Sequence, residues 1–122
     1  MKKNSAKPFL KKTTKIDNDY PIYIQLISNN AAFIFSTGLY VPEEAWDINQ
    51  VEVINDFPGS WMLNAKLGIV TFISRTHLTE KETFKHEDME KLRGEITETL
   101  KIIDHPIDVY NFYAAKEEIK SV

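Results

Sequence analysis

The sequence predicts an α+β fold in which a three-stranded antiparallel β-sheet packs against C-terminal helices. Apolar and polar residues alternate along segments 20–28 and 31–37, which is typical of strands that bury one face. Only Asn29 and Asn30 separate the two segments, and asparagine tolerates the positive φ that a two-residue hairpin requires. After residue 60, dense apolar residues at helical spacing indicate helices that can cover the sheet.

The composition limits the classes of protein to consider. A chain of 122 residues, 43% apolar and 27% charged, suits one compact domain, or one domain with a fragment of a second. It contains no cysteine, which excludes disulfides, thiolate zinc sites and cysteine nucleophiles. No apolar stretch has the length of a signal peptide or a membrane span, so we expect a cytoplasmic protein with no membrane partner.

Charge is distributed unevenly along the chain. Residues 1–15 contain six lysines and no acidic residue, whereas the remainder contains nine basic and eighteen acidic residues, for a net charge of −3. A basic segment on an acidic body suggests a local contact with a polyanion. From charge alone, a solvated lysine-rich terminus is favoured, because short basic clusters are common false positives for nucleic-acid patches.

The first strand is expected within residues 9–16, after a disordered basic tail at residues 1–7. Threonines in this segment suit a pleated surface, and lysines suit an exposed face or an edge. Residues 17–19, Asp-Asn-Asp, then predict a turn, since all three side chains can bond to the backbone.

The second and third strands form the hairpin, and each has two distinct faces. The second strand separates two sets of side chains, Ile22, Ile24 and Leu26 on one face and Tyr23, Gln25 and Ile27 on the other. The third does the same with Phe33 and Phe35 against Ala32, Ile34 and Ser36, and Gly38 is expected to end it. Residues 39–47 predict a helical turn opened by Pro42, with Trp46 packed back on the sheet. A further short strand is possible within 51–54.

Three helices are expected in the second half. Segment 61–77 has helical spacing, although its part 68–73 locally prefers strand. A helix from 85 to 93 either stops at Gly94 or continues, because Ile96, Leu100 and Ile103 keep helical spacing with Met89. After His105-Pro106, segment 106–120 predicts a new amphipathic helix.

Residues that could carry catalysis or bind a cofactor form no recognisable pattern. The three histidines are scattered, and none makes a His-Glu-x-x-His motif. His86, Glu87 and Asp88 are adjacent and cannot face one point on a helix, so they are interpreted as a solvated helix start. The four glycines are too widely spaced for a phosphate-binding loop. We expect no catalytic residue, no metal site, no cofactor and no small-molecule substrate.

Residues 35–42 read FSTGLYVP and are followed by Trp46-Asp47, after a PIY strand at residues 21–23. This stretch closely resembles the Arm DNA-binding domain at the N-terminus of tyrosine recombinases, the integrases of phages and conjugative elements. The resemblance extends over about residues 9–119. It implies one domain over residues 8–103, with the sheet in 8–57 and helices in 58–103. It also implies that 104–122 is a linker and the first helix of a SAM-like core-binding domain.

The resemblance implies double-stranded DNA as the partner, bound at accessory arm sites during DNA integration and recombination. The contacts to DNA are expected from six residues, Lys7, Lys11, Lys12, Lys15, Ser36 and Thr37. Segment 20–37 departs from the family pattern because it has no lysine or arginine. Family sheets dock a face or an edge in the major groove. The family's nucleophilic tyrosine lies in a catalytic domain that this sequence does not contain, so we expect no enzyme activity.

A second hypothesis remains open beside DNA binding. The same fold could serve as a non-catalytic interaction or regulatory module of a mobile element, with other recombinase subunits as partners. An uncovered sheet face that carries the lysines, Ser36 and Thr37 would favour DNA. A face covered by an acidic helix would favour the interaction module.

Overall fold

The computed structural model describes residues 4–13, 15–29, 31–80 and 83–121, with side chains up to Glu117. A three-stranded antiparallel sheet of order β1-β2-β3 is formed by Asn4–Leu10, Tyr20–Ser28 and Ala31–Val41. A 3-10 turn at Glu43–Ala45 and two short paired strands, β4 (Trp46–Asp47) and β5 (Glu52–Val53), follow. Three helices complete the fold, α1 (Ser60–Glu80), α2 (His86–Ile102) and α3 (Pro106–Ser121). The α+β prediction is confirmed.

The core lies between one face of the sheet and the helices. Ile22, Ile24 and Leu26 of β2 are fully buried, whereas Gln25 between them is exposed. The same face of the sheet contributes Phe35, and α1 contributes Ile69, Val70 and Ile73. The two faces of β2 that the sequence predicts are therefore confirmed, and Ile22, Ile24 and Leu26 form the buried one. Trp46 is half-buried and packs on a second cluster that includes Ile22 and Val41, as predicted.

The hairpin has the two-residue connection that the sequence predicts. Ser28 pairs with Ala31, and Asn29 has a φ of +57°. Asn30 lies outside the described residues. The earlier turn is also present, since Asp17 and Asn18 have φ of +50° and +73° between the bridged residues Ile16 and Asp19.

The predicted position of the first strand is wrong. β1 begins at Asn4 and ends at Leu10, so residues 4–7 lie in a strand and not in a disordered tail, while residues 1–3 lie outside the described part. Pairing with β2 explains the shift, because Ala6 and Leu10 face Leu26 and Ile22 and become buried. Lys11, Lys12 and Lys15 therefore lie in the β1–β2 loop, and strand alternation does not govern their side chains.

The edge strand β1 is held against α1 by two side chains. Arg75 Nη2 donates to the Ala6 carbonyl oxygen at 3.4 Å, and Asn4 Nδ2 donates to the Leu78 carbonyl oxygen at 3.3 Å. The donor of the first hydrogen bond belongs to α1, and the donor of the second belongs to β1. β1 is thus tied to the helical layer as well as to β2.

The third strand also differs from the prediction, because it passes through Gly38 and continues to Val41. Ile22 pairs with Leu39 while its neighbour Tyr23 pairs with Ser36, so Thr37 and Gly38 form a bulge. Thr37 Oγ1 donates to the Ile22 carbonyl oxygen at 2.7 Å, and Gly38 adopts a φ of +83°. The bulge lets pairing resume after the irregularity, which is why glycine does not end the strand here.

The helical predictions are confirmed, and the ambiguity at Gly94 is resolved. α2 continues through Gly94 to Ile102, with Met89, Leu92 and Ile96 buried along one face. His77 Nε2 of α1 lies 2.9 Å from Glu95 Oε1 of α2, which links the two helices. α3 packs on α1 through Phe72, whose ring meets those of Phe112 and Tyr113 edge to face. The assignment of 104–122 to a further domain stays a prediction.

Candidate nucleic-acid interface

The face of the sheet opposite the helices is formed by three aligned rows of side chains. Directly paired residues of neighbouring strands point to the same face, and the register fixes the rows as Ser5-Ile27-Ala32, Lys7-Gln25-Ile34 and Phe9-Tyr23-Ser36. None of the nine is buried. We call these nine residues the open face. The described helices pack on the opposite side, so no described helix covers it.

The open face combines positive charge, hydrogen-bonding groups and apolar surface. Lys7 and Gln25 lie side by side in its middle row, beside Ile34, which is 43% exposed. Lys11 reaches it from the loop, since Lys11 Nζ lies 5.4 Å from the centre of the Tyr23 ring. None of the nine positions carries an acidic residue. This surface can therefore contact an anion without a competing carboxylate of its own.

The other two loop lysines have partners away from the open face. Lys12 forms an ion pair with Glu43 of the 3-10 turn. The hydrogen bond and charge of Glu43 raise the pKa of Lys12, and those of Lys12 lower the pKa of Glu43. Lys15 Nζ lies 5.7 Å from the centre of the Tyr20 ring. Lys12 is thus paired with an acidic neighbour away from the open face, while Lys7 and Lys11 share one surface.

Ser36 and Thr37, adjacent in sequence, have different environments. Ser36 is exposed in the third row, and its Oγ accepts a hydrogen bond from Gly38 N at 3.1 Å. Thr37 is only 6% exposed, and the bulge directs its hydroxyl to the Ile22 carbonyl. Thr37 therefore does not lie on the open face, in contrast to the prediction, and its role is to hold the bulge.

The uncharged residues of the open face, apart from Ser36, were not among the DNA contacts predicted from the sequence. Gln25, Tyr23, Phe9 and Ile34 lie between or beside the basic side chains. A signal was present for Tyr23 and Gln25, because alternation places them on the face of β2 opposite Ile22, Ile24 and Leu26. Selection by charge alone could not find them.

Neither a metal-binding cluster nor a membrane-spanning helix is found among the described residues. Within them, no group of three or more histidine, aspartate or glutamate side chains could hold a metal ion. Over the same part of the chain, no helix combines the length and apolar character needed to cross a bilayer.

The chain is similar to a known protein family. A family model described as Arm DNA-binding domain matches residues 9–103. The matched range covers most of the sheet together with α1 and α2, and it ends before α3 begins at Pro106. No curated protein and no solved structure matches the chain.

Proposed function

We propose that this chain, which belongs to the Arm DNA-binding domain family of phage integrases and tyrosine recombinases, recognises accessory arm sites through its open face during site-specific DNA integration. The observation that carries the proposal is the open face itself. It is uncovered by the described helices, free of acidic residues at its nine positions, and reached by Lys7 and Lys11.

The dimensions of the sheet suit the major groove of B-DNA. Neighbouring strands lie about 4.8 Å apart, so the outer strands of a three-stranded sheet are separated by about 10 Å. The major groove is about 12 Å wide and admits β-structure as well as helices. A sheet of this width can therefore enter with its face towards the base edges, as other β-sheet readers do.

The three rows suggest that different open-face residues contact the phosphates and the bases. Lys7 and Lys11 can contact phosphates, which fix position but carry no sequence information. Gln25 lies in the middle of the central strand, and its amide can bond an adenine through N6 and N7. Ile34 beside it offers an apolar contact to a thymine methyl group. Sequence preference is thus assigned to Gln25 and Ile34, and general affinity to the lysines.

A titration with mixed-sequence duplex DNA tests the lysine assignment. Lys7→Gln/Lys11→Gln should weaken binding and reduce the slope of log K against log salt by about 0.9 for each phosphate that is no longer neutralised. The matched control is Lys91→Gln/Lys116→Gln, which removes the same charge from α2 and α3. Equal slopes for the two double variants would contradict the proposal, and absence of DNA binding by the unmodified chain would favour the interaction module.

Selection from a random duplex library tests the assignment of sequence preference. Gln25→Ala should enrich a broader set of sequences than the unmodified chain does, because a bidentate contact contributes about 1–3 kcal/mol of discrimination between bases. The same bound sequences for both proteins would remove Gln25 from the base-reading role.

A further inference from the structure

We propose that a groove beside the outer edge of β3 binds one phosphate backbone of the same DNA, which gives the domain a second contact surface. The groove lies between β3 and the helices α1 and α2, and we define the β3-side groove by Ser36, Gly38, Lys66, Arg93 and Lys101. This inference rests on the proposed function, since it requires the open face to lie in the major groove.

The charge of the β3-side groove fits a phosphate backbone. Three basic side chains line it, Lys66 from α1 and Arg93 and Lys101 from α2, and no acidic side chain does. Lys66 forms no ion pair with any described residue. The body of the protein is acidic outside residues 1–15, so this local excess of positive charge stands out.

Arg93 and Lys101 each have an acidic neighbour on α2, and these pairs can open. Arg93 Nη1 lies 3.6 Å from Glu90 Oε1, and Lys101 Nζ lies 3.2 Å from Glu98 Oε1. All four side chains are more than half exposed. Exposed pairs of this kind contribute little to stability. A phosphate that approaches in the groove can therefore replace the carboxylates, and the guanidinium of Arg93 can bond two phosphate oxygens.

The position of the β3-side groove follows the geometry of the open face. Ser36 belongs to both surfaces, so the two are continuous. When a sheet about 10 Å wide fills a major groove about 12 Å wide, the phosphate backbones run along the sheet edges. One backbone then passes β3, where Gly38 leaves the bulge without a side chain.

The space available is sufficient for a hydrated phosphodiester. The β3-side groove has a volume of about 440 Å³, many times the roughly 30 Å³ that one water molecule occupies in the liquid. A phosphate group can thus enter together with the waters that commonly bridge it to protein.

The salt dependence of DNA binding tests this inference. Anisotropy titrations of a fluorescein-labelled mixed-sequence duplex at several salt concentrations should show a shallower slope for the Lys66→Gln/Arg93→Gln/Lys101→Gln variant, by about 0.9 for each phosphate left without its basic partner. Lys66→Gln alone should lower the slope by about 0.9. The control is Lys85→Gln/Lys91→Gln/Lys116→Gln, which removes the same net charge at positions that do not line the groove.

The outcomes separate this inference from the proposed function. One outcome is a shallower salt slope for the Lys7→Gln/Lys11→Gln variant together with equal slopes for the groove variant and the control triple. This outcome supports DNA binding by the open face and contradicts phosphate binding by the β3-side groove. If the unmodified chain does not bind the duplex, both assignments are contradicted. Thermal unfolding of every variant shows that it is folded, and the single Lys66→Gln variant keeps the test decisive should the triple variant unfold.

Discussion

At the scale of single residues, the bulge in β3 depends on two neighbours with different tasks. Thr37 donates its hydroxyl to the Ile22 carbonyl at the point where the pairing of β2 and β3 is interrupted. Gly38 supplies a φ of +83°, a conformation that costs other residues strain. Together they bring Ser36 to the open face and Leu39 back into register with Ile22.

Replacement of Gly38 should destabilise the fold through backbone strain alone. No heavy atom lies within 4 Å of an added Cβ, so Gly38→Ala should lower the free energy of unfolding by about 1–2 kcal/mol. Urea denaturation with an unchanged m-value measures this. Gly94→Ala is the control, because Gly94 has equal space inside α2 and alanine should stabilise a helix interior by about 1 kcal/mol. Shifts of the same sign would refute the strain argument.

Trp46 should contribute moderately to stability. It is half-buried against the cluster around Ile22 and Val41, so Trp46→Ala should cost about 2–3 kcal/mol, at or below the low end of the range for fully buried aromatic residues. Trp61 is 59% exposed, and Trp61→Ala should change the free energy of unfolding by less than about 0.5 kcal/mol. Equal effects in chemical denaturation would show that the ring of Trp46 does not anchor the core.

The candidate site was only partly predictable from the residues. Charge selected Lys7 and Lys11, which the structure brings to the open face. Thr37 was selected as well, because nothing in the sequence shows that a bulge turns its hydroxyl inward. Gln25 was not selected, because an uncharged amide on a strand is recognised as a contact only when its neighbours across the sheet are known.

At the scale of elements, a strand or helix is predictable from the sequence when its own residue pattern determines its conformation. The alternation in β2 and the asparagines after it predict the hairpin. The strand's own apolar and polar residues separate one face that can be buried from one that can be exposed. β1 has the sequence NSAKPFL, and its strand conformation depends on pairing with β2 rather than on propensity. α2 passes through Gly94 because buried Leu92 and Ile96 on either side hold the helix on the core.

The start of α3 should be sensitive to acid. Asp108 Oδ2 accepts hydrogen bonds from the backbone N–H groups of Asp104 at 3.0 Å and His105 at 2.9 Å, which lower the pKa of Asp108. A carboxyl whose folded pKa is depressed stabilises the fold above its unfolded pKa of about 3.9 and loses this effect as pH falls through the folded value. We expect the amide signals of Asp104 and His105 to shift in NMR spectra over that acidic range.

Two controls identify the cause of this acid response. Asp108→Asn should reduce the shift of the His105 amide signal, because the asparagine side chain cannot be protonated in this range. Glu43 also has a lowered pKa, but its cause is the exposed Lys12 side chain, so added salt should return Glu43 towards its ordinary pKa more than Asp108. A carboxyl of Asp108 that titrates at its ordinary pKa would rule out the backbone hydrogen bonds as the cause.

At the scale of the whole molecule, the two faces of the sheet have different environments. The inner face forms the core with α1 and α2, and the outer face is not covered by the described helices. The exposed acidic residues Glu87 and Glu95 of α2 lie in the helical layer, outside the residues that define the β3-side groove. Screening limits their repulsion of DNA to about 8 Å at physiological salt, and their charge favours approach of DNA from the open face.

The chain by itself should bind DNA without cutting or joining it. No residue pattern in the sequence marks a tyrosine of this chain as a nucleophile. Tyr20, Tyr23 and Tyr113 instead contact a lysine or other aromatic rings. Incubation with a nicked suicide substrate followed by denaturing electrophoresis should show no covalent protein–DNA product. Such a product, mapped to any tyrosine of this chain, would overturn the assignment.

The contacts between Arg75 and β1 also bear on how the protein behaves at high concentration. A strand at the border of a sheet offers backbone groups to which a strand from another molecule can add, and this is a route to aggregation. Arg75 occupies the Ala6 carbonyl and places a cation beside that border. The β1 edge, which borders the open face, is thereby protected from unwanted self-association, and loss of the Arg75 side chain would remove that protection.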